Sequence, residues 1–206
     1  MDDLFDALAA GEHPPADGSV TTRPTPLGAR AVVVGGTAWA VVGADVDPAW
    51  VTDWIARSPD PIAAPLSARF LSALADETGV EPGVVDAVLV APPARAPGIP
   101  LQPLEAGDHP RVQRAHRHRT AVQVLGTADG AGVLTLGRGL AGRWEVSIEV
   151  DPDARGRGLG TALAAAAPAL VTGPLWAQVA PANTASLRSF LLAGYRPVCA
   201  ESLFGS

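Results

Sequence analysis

Hydrophobic positions change period several times along the chain, and each change marks an element. Ala31–Val34 and Trp39–Val42 are apolar runs around Gly35-Gly36, which predicts a hairpin. Asp47-Pro48 then supplies a cap and a first-turn proline for a helix carrying Trp50, Val51, Trp54 and Ile55. Leu66, Phe70, Leu71 and Leu74 share one face of a second helix over about 65–77, ended by Gly79. Val84–Val90 reads as a buried strand. Thr120–Leu125 and Val133–Leu136 flank Asp129-Gly130 as a second hairpin. Over Arg143–Val150 the alternation is strict. Trp144, Val146, Ile148 and Val150 fall on one side, and Arg143, Glu145, Ser147 and Glu149 on the other. That is a strand, stopped by Asp151-Pro152.

The remaining pattern predicts an alanine-rich helix from Gly158 to about Val171 and a short strand at Leu175–Val179. A helix from Asn183 to Ala193, ended by Gly194, and a last strand from Tyr195 to about Leu203 follow. Strand–strand–strand–helix–strand–helix–strand implies a mixed α/β sheet. Residues 1–30, rich in Gly, Pro and Thr after a short amphipathic start, read as a loosely ordered arm. Pro92–Pro110 holds six prolines and reads as a loop or linker. The expected organisation is therefore an arm over 1–30, an N-terminal half over 31–110 and a C-terminal core over 111–206.

Composition narrows the function. The 206 residues include no lysine, one asparagine (Asn183) and one cysteine (Cys199), with a net charge of −6. A single cysteine builds neither a disulfide framework nor a zinc site. Apolar runs break well short of the ~18 residues of a membrane span, and the acidic start Met1-Asp2-Asp3 lacks the basic opening of a signal peptide. These features predict a cytoplasmic protein with no membrane partner. The acidic balance disfavours nucleic acid as partner and favours a cationic small molecule. The bias towards Gly and Ala also makes chance glycine motifs common, so context decides them.

Two glycine motifs occur. Gly137-Arg-Gly139-Leu-Ala-Gly142 has the letters of a dinucleotide fingerprint, but an alternating strand follows where such a motif needs a helix. The reading expected for it is a connection between strands. Arg155-Gly-Arg157-Gly158-Leu159-Gly160-Thr161 does follow a strand and open a helix. Glycines at 156, 158 and 160 let backbone N–H groups converge on an anion, with the helix dipole and two arginines adding positive charge. Without a ligand, the same stretch is a tight strand-to-helix turn.

Arg155-x-x-Gly158-x-Gly160 after a Val-Asp-Pro strand end resembles the R/Q-x-x-G-x-G/A motif of the GNAT acyltransferases, the GCN5-related N-acetyltransferases. The segment from Asn183 through Ser186 and Phe190 to Gly194-Tyr195 is similar to that family's N-x-x-[AS]…G-[FY] helix. The likeness spans about 115–204. It implies an α/β fold of α+β type: a mixed, mostly antiparallel central sheet flanked by helices and splayed between its fourth and fifth core strands, here 144–150 and 175–179. It implies acetyl-CoA or another acyl-CoA as co-substrate and no metal. Arg155, Gly156, Arg157, Gly158, Leu159, Gly160 and Thr161 would hold the pyrophosphate. Backbone groups of Ile148 and Val150 would meet the pantetheine arm and thioester, with Asn183 and Ser186 also at the cofactor. Asn183 equally suits the cap of its helix. Residues 31–110 would carry the acceptor side.

The resemblance implies direct acyl transfer to a small-molecule or peptide amine, and leaves a homodimer open. A non-catalytic CoA-binding or regulatory domain is the alternative. Glu149 and Glu145 are the candidate bases, Glu149 preferred as nearer the expected thioester; a partly solvated face, or pairing with Arg143 and another arginine, is the competing reading. Where many members place a tyrosine acid, four residues before the Gly-aromatic pair, this chain has Phe190. Tyr195 and Cys199 read as core residues. After Gly194 the sequence has room for one strand where the family commonly has two, which implies an altered acceptor side. Arg111–Arg119, with four arginines and two histidines, reads as a solvated face of a short helix or edge strand; an RNA or CoA 3′-phosphate contact and a His116-x-His118 metal site are the minor alternatives.

Overall fold

The computed structural model describes residues 1–93, 98–105 and 107–205. The chain divides into two compact units, Met1–Val88 with Val198–Ser206, and Leu89–Pro197.

The first unit begins with α1 (Asp2–Ala10), which buries Leu4, Phe5 and Leu8 and ends on Gly11 in the left-handed conformation at φ 88°. β1 (Ser19–Arg23) runs parallel to β3 (Trp39–Gly43), and β3 forms the expected hairpin with β2 (Ala31–Gly36). The segment 1–30 is therefore not a loose arm. Its three apolar side chains and its backbone pairing outweigh the Gly/Pro content, and Arg23 Nη1 ties β1 to Asp3 Oδ1 of α1 at 2.6 Å. Asp47 caps α2 (Pro48–Ala56) through Ala49 N–H, and Ser67 caps α3 (Ala68–Thr78) through Phe70 N–H. The helix expected from residue 65 starts later because Ala64–Leu66 forms a separate 3₁₀ turn. β4 (Pro82–Val90) follows, and the last strand, β10 (Arg196–Phe204), lies antiparallel to β2 and next to β4. Val33, Val42, Val51, Ile55, Phe70, Leu74 and Phe204 make the core. Trp50 and Trp54 pack on Phe70 at ring-centroid distances of 6.0 and 5.1 Å, so the tryptophan pair belongs to this core.

The second unit holds β5 (Gln102–Pro103), α4 (Pro110–His118), β6 (Thr120–Gly126), β7 (Gly132–Arg138), β8 (Trp144–Val150), α5 (Leu159–Ala166), β9 (Leu175–Val179) and α6 (Thr184–Leu192). Its strand order is β9-β8-β7-β6-β5, antiparallel except for the parallel β8/β9 pair. Each unit is thus a mixed α/β layer with mostly antiparallel strands, the fold class expected. The division falls at 88/89, upstream of the expected 110/111, because the stretch after β4 pairs within the second unit: Ala91 N–H reaches Leu175 O at 2.8 Å. Of the proline-rich stretch, residues 94–97 and 106 lie outside the described residues, while Gln102–Pro103 pairs with β6. The alanine-rich helix stops at Ala166 and continues as a 3₁₀ turn over Ala167–Leu170, where Pro168 has no N–H to extend it.

The aromatic end of α6 is fixed by packing. Phe190 and Tyr195 are buried and meet edge to face at 4.9 Å, and the Tyr195 hydroxyl donates to Ala164 O at 3.1 Å. Burial pushes the Tyr195 phenol far above its ordinary pKa. Tyr195→Phe should therefore cost about 1 kcal/mol in denaturant unfolding and leave any proton-transfer step untouched.

Candidate functional site

β8 sets the site, because its two edges and two faces have different fates. Asp151 N–H donates to Ala131 O at 2.8 Å, and Gly139 N–H donates to Arg143 O at 3.0 Å. Both rungs couple odd-numbered residues across β7 and β8, so the odd positions of β8 bond β7. The N–H and C=O groups of Val146, Ile148 and Val150 point the other way, towards the β9 side. There the recorded ladder comprises Trp144↔Leu175 and Glu145↔Trp176. Among the described residues no further ladder pair joins β8 to β9 past that rung.

The loop after β8 leads from this edge to α5. Arg155 Nε donates to Val150 O at 3.1 Å and Asp151 caps Asp153 N–H. Gly156 and Gly158 sit at φ +75° and +84°, and a Cβ at either meets nothing within 4 Å. The positive φ favours glycine at both positions while the space beside each stays open. The first intrahelical bond of α5 runs from Ala162 N–H to Gly158 O, so Leu159, Gly160 and Thr161 present their N–H groups at the helix entrance. A Cβ at Gly160 would come to 3.1 Å from Ser189 Oγ, which keeps α5 and α6 close. Arg157 is exposed beside this entrance. Asn183 Oδ1 accepts Ser186 N–H at 3.2 Å, so the capping reading of the lone asparagine holds.

The even face of β8 packs under α5: a Cβ at Gly132, the partner of Val150, would meet Leu163 Cδ1 at 2.9 Å. The odd face meets α4, and here the two glutamates part company. Glu145 is buried. Its Oε1 accepts Leu140 N–H at 3.2 Å, Arg143 Nε at 3.0 Å and Gln178 Nε2 at 3.2 Å, while Oε2 accepts Arg119 Nε at 3.0 Å. Arg119 Nη1 also reaches Ser147 Oγ at 3.3 Å, which shares a 2.6 Å bond with Thr135 Oγ1. Four donors on one carboxylate, at the rung where β8 and β9 are still joined, describe a structural anchor. Glu149 makes one recorded ion pair, to Arg111 Nε at 2.8 Å, and is 38% exposed.

This arrangement also explains the discarded glycine motif. A Cβ at Gly139 would fall on the Glu145 carboxylate, and one at Gly137 would come to 2.9 Å from Arg119 Cβ. The motif makes room for a buried ion cluster, a use that its letters do not reveal. Glu145→Gln should destabilise the protein by about 3–5 kcal/mol in denaturant melts, because it leaves buried guanidiniums without their carboxylate. Gly139→Ala should act in the same direction.

The basic run is a helix, as one of its readings had it, but it is not only a solvated face. Arg111 and Arg119, at and just past the ends of α4, clamp Glu149 and Glu145, an arrangement no local sequence signal announces. Burial, and then the charges of Arg114, Arg117 and Arg119, hold the His118 pKa below its ordinary value. On a helix, His116 and His118 point about 200° apart. Among the described residues no group of three His, Cys, Asp or Glu side chains is placed to hold a metal ion, and no helix is long and apolar enough to cross a membrane.

Residues 105–195 match the family described as Acetyltransferase (GNAT) family. No curated protein matches the chain. Among solved structures the chain is similar to an acetyltransferase of the GNAT family from Colwellia psychrerythraea, at 12% identity and a TM-score of 0.44 over 66% of this chain and 62% of that one. It is also similar to a GCN5-related N-acetyltransferase from Sphaerobacter thermophilus, at 18% identity and a TM-score of 0.42 over 67% and 56%. The chain spans less than two thirds of the length of either structure. Residues 105–195 are thus similar to the GNAT acetyltransferases, the family whose resemblance the sequence carries.

Proposed function

We propose that the protein is an acyl-CoA-dependent N-acyltransferase that moves an acetyl or other acyl group directly to an amine. The observation that carries this reading is the β9-facing edge of β8 past Glu145, ending beside the glycine loop and the entrance of α5. Such an edge offers N–H and C=O groups to an extended chain, and the loop offers N–H groups and arginines to a pyrophosphate at that chain's end. The open space beside Gly156 and Gly158 fits that group. Arg155, Gly156, Arg157, Gly158, Leu159, Gly160 and Thr161 hold the pyrophosphate in this reading. Ile148 and Val150 take the arm and the thioester carbonyl, and Asn183 and Ser186 border them.

The acyl donor supplies a thioester. Glu149 takes a proton from the acceptor ammonium, and the freed nitrogen lone pair attacks the carbonyl carbon. N–H groups of the Ile148–Val150 segment stabilise the charge that builds on the carbonyl oxygen. The C–N bond forms and the C–S bond breaks; the nitrogen, now carrying one proton too many, releases it to water, and the departing thiolate takes a proton from water, so that the proton held by Glu149 is the net one released. Tyr195, with its hydroxyl on Ala164 O, and the apolar Phe190 supply no acid for that last step. Glu145, already saturated, is not the base in this scheme.

The second reading, a CoA-binding domain without turnover, is favoured by that missing acid and by the Arg111–Glu149 pair. Thiol release from acetyl-CoA across a panel of amines and peptides separates the two. Release that depends on an acceptor is expected; tight CoA binding with no release on any acceptor would favour the binding domain.

A further inference from the structure

We propose that the acceptor carries an anionic group close to its amine, as an α-amino carboxylate does, with Glu149 receiving the ammonium and Arg111 the carboxylate. This deepens the acyltransfer reading and rests on it. The two side chains form a half-buried pair, 32% and 38% exposed, at the end of β8 that carries Ile148 and Val150. Their single 2.8 Å bond uses Arg111 Nε and Glu149 Oε2. Both terminal guanidinium nitrogens and Oε1 have no other partner among the described residues, so each group keeps capacity for a ligand. The Glu145–Arg119 pair, on the same strand face and only 5% and 12% exposed, keeps no such capacity on its carboxylate.

A zwitterion exchanges one internal ion pair for two external ones with opposite charges kept apart. A plain amine would take Glu149 and leave the Arg111 guanidinium half-buried without a counter-ion, which costs free energy. The surroundings act in the same direction. Arg114 and Arg117 are exposed on α4 and make no ion pair among the described residues, and 109–120 contains no acidic residue, the nearest in sequence being the exposed Asp108. The helix beside Glu149 therefore attracts an anion and repels a substrate of positive charge alone.

The test compares the common α-amino acids with their α-amides as acceptors of the acetyl group, read by thiol release, and as ligands in thermal shift without acetyl-CoA. At least one free acid is expected to exceed its amide by about tenfold or more in kcat/KM, the worth of one charge-assisted bond, and to raise Tm where the amide does not. Arg111→Gln should remove that preference, bringing the kcat/KM of acid and amide to within about twofold of each other. Arg111→Lys, which keeps the charge, should restore part of it. Amides or simple amines used as well as acids would overturn the carboxylate assignment while leaving acyl transfer standing. No release with any acceptor, despite CoA binding, would overturn both.

Discussion

Gly158→Glu should abolish CoA binding, lowering affinity about a hundredfold or more in calorimetric titration, while far-ultraviolet circular dichroism keeps its native shape. Gly158 caps α5 at φ +84° with open space beside it. A side chain there meets no steric wall, and the left-handed backbone costs about 1–2 kcal/mol. The new carboxylate stands at the helix entrance where Leu159, Gly160 and Thr161 offer N–H groups, and it would occupy the anion's place. Losing two such charge-assisted bonds is enough for the hundredfold effect. Gly158→Asn separates the causes, since asparagine tolerates the left-handed region and brings no charge. It should keep most of the affinity. Unchanged affinity in the glutamate variant would remove the loop from the donor site.

Glu149→Gln should lower kcat by about 10²–10⁴-fold, the usual worth of a positioned general base, with little change in CoA affinity. Glutamine keeps the shape of the side chain and cannot take the proton, so the loss reads on kcat and not on donor binding. Glu145→Gln should instead lower stability, because its carboxylate binds Arg119, Arg143, Gln178 and Leu140 N–H rather than a reacting atom. A normal kcat in Glu149→Gln would leave proton removal to water.

Several elements were legible in the sequence for local reasons. The strict alternation of 144–150, the Asp47-Pro48 and Ser67 helix starts and the glycine loop after Asp151-Pro152 are short-range signals, and they sit where expected. The wrong context of Gly137–Gly142 was legible too, since Trp144 opens a strand. What escaped was long-range. The pairing of β1 with β3 and of Arg111 and Arg119 with glutamates 38 and 26 residues away depends on tertiary packing, which no local pattern encodes. The preference for Glu149 over Glu145 came from the resemblance, and the neighbours that separate the two did not show locally. The two positions have identical chemistry and strand parity, and only their neighbours on α4 and β9 assign one to the frame and the other to the open end.

The central claim is that the β9-facing edge of β8 receives the acyl donor. Amide hydrogen exchange by NMR, with and without saturating acetyl-CoA, tests it most directly. Ile148 and Val150 N–H and the N–H groups of Leu159, Gly160 and Thr161 should slow on binding, while Glu149 N–H, on the parity that bonds β7, should change little. Saturable binding that leaves Ile148 and Val150 exchange unaltered would contradict the account.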